Sequence, residues 1–317
     1  MNDKYILVLT HDIDSLTWKE FPLNYQRILY PFSNALIKNT YRLIFRHISG
    51  FDYLKSLRFA FFDSILSRFN LMNDPWQKSL DKIIDIERKY DVRSTLLFIP
   101  FFKDPGHTPD GNKAPLNRAC YYDILNHASL LQSLEQQGWE VGIHGIDAYL
   151  NLESAKRELE RFKSLLPFKK QFGIRMHWLY HQGEESWKIL EKAGYSYDAT
   201  FGWNDKIGFP GSHYKPFIPN GCNRLHVLPL NIQDNVLLRW DRQNLNPKSA
   251  WKEAEKLLTF AKEKSAIITI LWHNTSFVAP RHWGWLYEKI IQKAKEDNAL
   301  IVTAGEAIEM SMNSSNS

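Results

Sequence analysis

Short apolar runs alternate with segments of helical spacing along most of this chain, and that alternation constrains the fold more than any other feature. Residues 5–9 (Tyr-Ile-Leu-Val-Leu) form the first run, and its unbroken apolar character is typical of a strand buried on both faces. Further strands are predicted at 94–100, 139–144, 172–175, 197–201, 225–230, 236–238, 266–273 and 299–303. Helices are predicted at 76–90, 122–137, 152–166, 184–193, 248–264, 283–295 and 306–312. Repeated βα units predict an α/β fold, with a largely parallel sheet covered by helices in one domain spanning 1–317.

One segment, at about 15–74, departs from this alternation. Between Lys19 and Asn70 there are eight Lys or Arg residues and three acidic ones, which matches the net charge of +5 for the whole chain. The segment is rich in aromatic residues and poor in Gly and Pro, so it predicts an N-terminal insertion of two or three helices. Either its aromatic side chains pack on the main domain, or the segment forms a basic amphipathic surface that contacts an anionic membrane. Nucleic acid is a weaker alternative, and we expect no nucleic-acid partner, because no binding motif accompanies the modest charge.

The remaining composition narrows the classes of protein. Cys120 and Cys222 are the only cysteines, which argues against a disulfide framework and against a thiolate zinc site. The N-terminus resembles no signal peptide, and charged residues interrupt every apolar run before it reaches the length of a membrane span. We therefore expect a cytoplasmic protein, with peripheral membrane contact through 19–70 left open. The oligomeric state is not indicated.

Polar residues occur where the predicted strands end. The carboxyl ends of parallel strands meet at one edge of an α/β sheet, and this edge is where such folds build their sites. Each residue alone has a structural explanation: an aspartate can cap a helix, and a single histidine is often a packed core residue. Several together predict a site, and carboxylate with imidazole suits a divalent ion such as Zn, Co, Mn, Ni or Fe(II). The strand-end residues are Asp12, Asp14, His144, Asp147, Arg175, His177, Asp198, His273 and Asn274.

The order of these clusters resembles a known family. Residues 10–14 (Thr-His-Asp-Ile-Asp) resemble the first motif of NodB-type polysaccharide deacetylases, in the variant with a His-Asp-x-Asp core. Residues 142–145 (Gly-Ile-His-Gly) resemble the second, metal-binding motif, and 175–178 (Arg-Met-His-Trp) stand in the place of the third. Residues 271–274 (Leu-Trp-His-Asn) resemble the last motif, while 197–202 with 208–211 resemble a branch found in glycan biosynthesis clusters.

The resemblance implies a distorted (β/α) barrel and a metal-dependent hydrolase that removes an acetyl group from an N-acetylated sugar or glycan. The substrate would belong to polysaccharide or glycolipid biosynthesis and could be lipid-linked. By resemblance, Asp12 is the general base and His273 the general acid, and Arg175 orients Asp12. Asp14 and His144 would be ligands of the ion (Zn, or Co, Ni or Mn).

The chain also departs from the family pattern. The second motif usually has two histidines four residues apart, and here the second position is Ala148. His177 is the candidate replacement ligand, and Asp147 is a further candidate. Strand alternation should turn His11 away from the site. Because Ile13 separates the two motif aspartates, their roles could be exchanged.

Three functions remain open from the sequence. The chain could be the deacetylase, a non-catalytic carbohydrate- or partner-binding relative, or a membrane-surface assembly protein that acts through 19–70. Ala148 favours the second function, whereas the presence of both Asp12 and His273 argues against it. Some tryptophans could stack on sugar rings or could be packing residues: Trp203, Trp240, Trp272, Trp283 and Trp285.

Overall fold

The computed structural model describes residues 4–18, 32–74 and 76–315, in which nine strands form one sheet and every strand pair is parallel. The strands are β1 (Ile6–Ile13), β2 (Thr95–Phe98), β3 (Glu140–Gly145), β4 (Gly173–Met176), β5 (Tyr197–Asp198), β6 (His226–Val227), β7 (Ile232–Gln233), β8 (Ile267–Leu271) and β9 (Leu300–Val302). The prediction of a parallel α/β sheet is confirmed.

The first strand lies in the middle of this sheet. The spatial order is β6-β5-β4-β3-β2-β1-β8-β7, and β9 pairs with the early residues of β1 while β2 pairs with the later ones. Within the described residues no pairing joins β6 to β7, so the curled sheet is open at that point. This is the geometry of a distorted, incompletely closed (β/α) barrel, as the sequence predicted.

Helices connect the strands and cover the sheet. The α-helices are α1 (Asn39–Ile44), α2 (Gly50–Arg58), α3 (Ser64–Leu66), α4 (Lys78–Lys89), α5 (Ala128–Gln136), α6 (Leu152–Leu165), α7 (Glu184–Ala193), α8 (Asp234–Leu238), α9 (Pro247–Glu263), α10 (Gly284–Glu296) and α11 (Ala304–Ser315). Two π-helical segments are Asn34–Lys38 and Phe59–Asp63. Short 3-10 turns are Ser67–Phe69, Leu116–Arg118, Ile124–His127, His177–Leu179, Pro210–Ser212 and Asn274–Phe277.

The core explains why the apolar runs are continuous. Strands β2 and β8 are buried at every residue, as expected of central parallel strands that pack on both faces. The helices are amphipathic, and α4, for example, turns Leu80 and Ile83 inward. The central strands are therefore fixed by packing in the core, and this packing also fixes the backbone from which the side chains at their carboxyl ends project.

One predicted strand is wrong. Residues 236–238 belong to helix α8, and the strand of this region is β7, three residues earlier. All three residues are buried, and a buried apolar run this short has no period that distinguishes a helix from a strand. The strand predicted at 197–201 is also shorter than expected, since only Tyr197 and Asp198 are paired.

The segment between β1 and α4 forms helical elements from Asn34 to Ile44 and from Gly50 to Phe69, while its residues 19–31 lie outside the described part of the chain. It rests on a small cluster formed by Trp18, Phe59, Trp76 and Val278. The bounds of an insertion at about 15–74 remain a prediction. In the described residues, no helix combines the length and the apolar character needed to cross a bilayer.

Candidate active site

The polar clusters converge at the carboxyl edge of the sheet because strand alternation puts them on one face. Thr10 and Asp12 lie in β1 and Asp14 lies just past its end, and the three are spaced two residues apart. In the neighbouring pair of strands, His144 of β3 lies opposite Arg175 of β4. Paired residues share a face of the sheet, so the side chains from β3 and β4 point toward those from β1.

Three side chains converge on one point at this edge. The Nε2 atom of His144 lies 3.4 Å from Oδ1 of Asp14, and Nδ1 of His177 lies 3.6 Å from the same oxygen. The two ring nitrogens are 2.8 Å apart. For ligand bonds of 2.0–2.2 Å, neighbouring ligand atoms should be roughly 3.0–3.5 Å apart, so the three distances are close to those of a divalent-metal site.

The protonation states also suit a metal. His144 donates Nδ1–H to the carbonyl of Arg175 at 2.9 Å, which leaves the Nε2 lone pair directed at the cluster. Burial lowers the pKa of His177 well below its usual value, so that ring is neutral. Burial alone would raise the pKa of Asp14, but His177, His144 and His273 hold it well below the usual range. Asp14 Oδ1 is buried and accepts no hydrogen bond from the described residues, as expected of a ligand atom.

Asp12 is held beside this cluster by a buried arginine. Nη1 of Arg175 donates to Oδ1 of Asp12 at 3.0 Å and to the hydroxyl of Thr10 at 2.9 Å. Its Nε donates to the carbonyl of Ala199, so the guanidinium is fixed from two sides. The other carboxylate oxygen of Asp12 is 3.5 Å from Nε2 of His144. Asp12 is therefore oriented by Arg175 and lies against the edge of the cluster.

His273 stands on the opposite side, paired with a carboxylate that the sequence reasoning missed. Nδ1 of His273 lies 2.7 Å from Oδ1 of Asp234, and its Nε2 lies 3.9 Å from Oδ2 of Asp14. Burial alone would lower the pKa of His273, but the charges of Asp234, Asp14 and Asp12 raise it to about 9. Asp234 directly follows β7, so its position at a strand end could have identified it as a site residue. The incorrect strand prediction at 236–238 concealed that position.

Several strand-end residues lie elsewhere. His11 faces away from the cluster, with Nδ1 2.7 Å from the carbonyl of Trp272 and Nε2 3.0 Å from Glu87. Asp147 binds His107 at 2.7 Å. Asp198 accepts from the indole of Trp187 at 2.9 Å and from Thr200. The amide of Asn274 donates to the Ser15 carbonyl and the Ser79 hydroxyl, and Ala148 is buried.

The aromatic residues near the site differ in exposure. Trp272 and Trp283 are buried and pack in the core, whereas Trp203 and Trp285 are half-buried and Trp240 is exposed. Trp178 was not predicted as a site residue. Its φ of 64° turns the chain sharply after His177, and 36% of the side chain is exposed, with its ring centroid 5.9 Å from that of His177. It offers a ring surface at the mouth of the site.

Comparison with solved structures identifies the fold. The chain is similar to a protein from Mycobacterium smegmatis assigned as a polysaccharide deacetylase, with a TM-score of 0.57 and 13% identity over 98% of this chain and 91% of that one. A protein from Pseudomonas aeruginosa PAO1 with the same assignment gives 0.55 and 12%, over 97% and 91%. Puue allantoinase gives 0.56 and 10%, over 97% and 90%. No family model matches the chain, and no curated protein matches it by sequence.

The chain therefore has the fold of NodB-type polysaccharide deacetylases, as the sequence motifs predicted. At these identities the similarity is one of fold alone. The same fold in an allantoinase means that the scaffold does not by itself define the substrate.

Proposed function

We propose that this chain is a divalent-metal-dependent hydrolase that removes an acetyl group from an N-acetylated sugar or glycan. The observation that carries the proposal is the convergence of Asp14, His144 and His177 between an oriented carboxylate and a carboxylate-paired imidazole. Core packing alone gives no reason to bury Asp14 Oδ1 without a hydrogen bond beside two ring nitrogens.

The residues divide the chemistry of amide hydrolysis between them. A divalent ion held by Asp14, His144 and His177 would polarise the acetyl carbonyl and make water easier to deprotonate. Asp12 is the general base, because Arg175 holds its carboxylate in a fixed direction beside the cluster. Both side chains are almost fully buried, so the ion pair also keeps its geometry when substrate enters.

His273 supplies the proton for the departing amine. Its pKa near 9 keeps it an imidazolium at neutral pH, and the bond from Nδ1 to Asp234 directs Nε2 toward the cluster. The sugar ring would lie on the exposed face of Trp178, since flat aromatic surfaces pack well against the apolar faces of sugars.

The first test is the metal content of protein purified without chelators. We expect near-stoichiometric Zn, Co, Ni or Mn in the wild type, and loss of it in Asp14→Ala, His144→Ala and His177→Ala. His107→Ala is the matched control, because His107 also binds a carboxylate but lies outside the cluster. If His177→Ala kept its metal and Asp147→Ala lost it, the third ligand would be Asp147 and not His177.

Acetate release from N-acetylated sugars tests the reaction itself. Asp12→Asn should bind metal normally and lose at least about 100-fold in turnover, because a general base contributes 10²–10⁴-fold. Metal binding without acetate release, combined with saturable binding of an acetylated glycan, would instead support the non-catalytic alternative. Ala148 was the feature that favoured this alternative, and His177 now offers a third ligand in its place.

We further propose that residues 32–74 contact an anionic membrane, which would bring the enzyme to a lipid-linked substrate. Apart from Phe59, the buried residues of the segment are small or polar, whereas many of its large apolar residues are exposed, which is the reverse of a soluble helix. Exposed or half-buried basic residues lie among them and complement anionic lipid. The most exposed apolar residues of the segment are Ile37, Ile44, Phe51, Leu54, Phe62, Phe69 and Leu71.

Vesicle sedimentation tests this contact. The full chain should bind phosphatidylglycerol vesicles and not phosphatidylcholine vesicles, and Phe51→Ser with Phe62→Ser should remove most of the binding. Phe168→Ser is the matched control, since Phe168 is 54% exposed on another part of the surface. Unchanged binding in the double variant, or formation of a dimer that it disrupts, would contradict a membrane contact.

A further inference from the structure

A buried arginine outside the metal cluster joins three loops at the carboxyl edge of the sheet. Arg118 ends a 3-10 turn in the loop between β2 and α5, and its side chain is fully buried. Its Nη1 donates to the carbonyl of Pro105 at 2.5 Å. Its Nη2 donates to the carbonyl of Ile146 at 2.9 Å and to that of His177 at 3.1 Å. These carbonyls belong to the loops after β2, β3 and β4, so one guanidinium connects the ends of three neighbouring strands.

The two contacts of Nη2 join the two loops that carry the histidines of the cluster. Ile146 lies two residues after His144, and the second carbonyl belongs to His177 itself. Because both carbonyls accept from the same nitrogen atom, this atom fixes the distance between the loops after β3 and β4. That distance decides whether Nδ1 of His177 can stay 2.8 Å from Nε2 of His144.

The loop after β4 needs such support because its backbone is strained. Trp178 and Leu179 directly follow His177, and their φ values of 64° and 56° lie in the left-handed region that bulky side chains disfavour. Arg118 contacts this turn on both sides. It binds the carbonyl of His177 before the turn, and its guanidinium carbon lies 4.6 Å from the ring centroid of Tyr180 after it. Without these contacts the turn should relax, and the His177 ring should move with it.

The loop after β3 has a second support, which the loop after β4 lacks among the contacts of Arg118. Glu158 of α6 accepts from the backbone N–H of Ile146 at 3.0 Å and from that of Asp147 at 2.6 Å. The loop that follows His144 is therefore held by Glu158 as well as by Arg118. Loss of Arg118 should displace His177 more than it displaces His144.

The shape of the guanidinium explains an arginine at this position better than its charge does. A buried cation near a metal site repels the metal ion, so its charge alone would weaken metal binding. A planar guanidinium has five donors in a fixed arrangement and can bind several carbonyls at once, whereas the ammonium group of a lysine is a compact point charge. The contribution of Arg118 to the site is therefore geometric.

We propose that Arg118 is a positioning residue that holds His177 in place as the third metal ligand. The proposal rests on the proposed metal-dependent function and adds to it a residue that binds the backbone of a ligand and not its ring. It also accounts for a ligand that lies outside the second motif. His177 reaches the ion only from the strained turn after β4, and Arg118 stabilises that turn.

A double-mutant cycle on Co²⁺ affinity tests this proposal without using catalysis. The affinity is measured by competition with a chromophoric chelator in the wild type, Arg118→Met, His177→Ala and the double variant. We expect at least about tenfold weaker binding in Arg118→Met, since residues that orient metal ligands contribute roughly 10–100-fold to metal affinity. In the His177→Ala background, Arg118→Met should change the affinity less than about twofold, because the ligand on which Arg118 acts is already absent.

Two further measurements separate positioning from charge and from folding. The visible absorption spectrum of Co²⁺-loaded Arg118→Met should match that of His177→Ala, because both variants would have lost the same ligand. Arg118→Lys keeps the charge and should not restore the affinity of the wild type, and it replaces Arg118→Met in the cycle if that variant is insoluble. Arg42→Met is the matched control and should bind Co²⁺ as the wild type does, since Arg42 is also buried but donates to the carbonyl of Leu238.

The proposal is overturned if Arg118→Met binds Co²⁺ at least as tightly as the wild type, or if Arg118→Lys behaves as the wild type does. It is also overturned if Arg118→Met weakens binding equally in both backgrounds, because Arg118 would then only stabilise the fold. Co²⁺ binding that depends on Arg118, without acetate release by the wild type, would overturn the deacetylase function and leave this proposal in place. A wild type that binds no Co²⁺ would overturn both.

Discussion

The sharpest prediction for folding stability concerns Glu87, a fully buried carboxylate of α4 beneath the catalytic edge. Its Oε1 accepts from the Tyr287 hydroxyl at 2.6 Å and faces Nε2 of His11 at 3.0 Å. Its Oε2 accepts from the Trp139 indole at 2.6 Å and from Ser94 at 3.0 Å. This single carboxylate therefore ties β1, the start of β2, the start of β3 and α10 together.

The cost of removing its charge can be worked from these contacts. Glu87→Gln keeps the shape but removes the charge and turns one acceptor oxygen into an N–H group, so the hydroxyl on that side must reverse to accept and the other partner faces a donor. Breaking a buried charged contact of this kind costs about 3–5 kcal/mol. With about 2.1 cal/mol/K of unfolding entropy per residue, the 317 residues give roughly 0.7 kcal/mol/K, and the melting temperature should fall by about 4–8 °C.

Thermal and urea unfolding of three variants check this reasoning. Tyr287→Phe removes one donor and should cost about 1 kcal/mol. Glu288→Gln is the matched surface control, because its pair with Lys89 is exposed to solvent and contributes little to stability. The expected order of loss is Glu87→Gln, then Tyr287→Phe, then Glu288→Gln. A Glu87→Gln shift no larger than that of Glu288→Gln would refute the network as a source of stability.

Three further predictions concern packing, pH and catalysis. Gly173→Ala should prevent folding to the native state, measured by soluble yield and circular dichroism, because the added Cβ would overlap the ring of Tyr197. Burial raises the pKa of Glu158 to about 7, so the stability that this group contributes is fully present below about pH 4.5 and is lost as pH rises through 7. Urea unfolding between pH 4 and 8 should show this decline, on the order of 3 kcal/mol, in the wild type and a flatter profile in Glu158→Gln. Asp234→Asn should keep its metal and lose roughly 10²–10⁴-fold in acetate release, because the amide misorients the His273 ring.

Each of these has a control or a contrary outcome. Gly50→Ala should fold normally, since its Cβ meets nothing within 4 Å. A Glu158→Gln profile parallel to the wild type would show that the decline arises elsewhere. Acetate release by Asp234→Asn at the wild-type rate would show that this carboxylate does not orient His273.

The sequence predicted the sheet and the convergence of its strand ends, because both follow from local patterns. A continuous apolar run indicates a buried parallel strand, and parallel strands bring their carboxyl ends to one edge of the sheet. Contacts made by residues far apart in sequence were not predictable. The donors around Glu87 come from four elements, and Asp234 follows a strand only two residues long, too short for any periodic signal.

The third candidate ligand shows how sheet register resolves what motif spacing left open. By spacing, the missing histidine belonged at position 148, where Ala148 is buried in the core. Because β3 and β4 pair with His144 opposite Arg175, a residue two positions beyond Arg175 returns to the same face, just past the end of β4. That residue is His177, and its Nδ1 lies 2.8 Å from Nε2 of His144. We propose that the neighbouring strand supplies the third ligand in this way, and the predicted metal loss in His177→Ala tests that proposal.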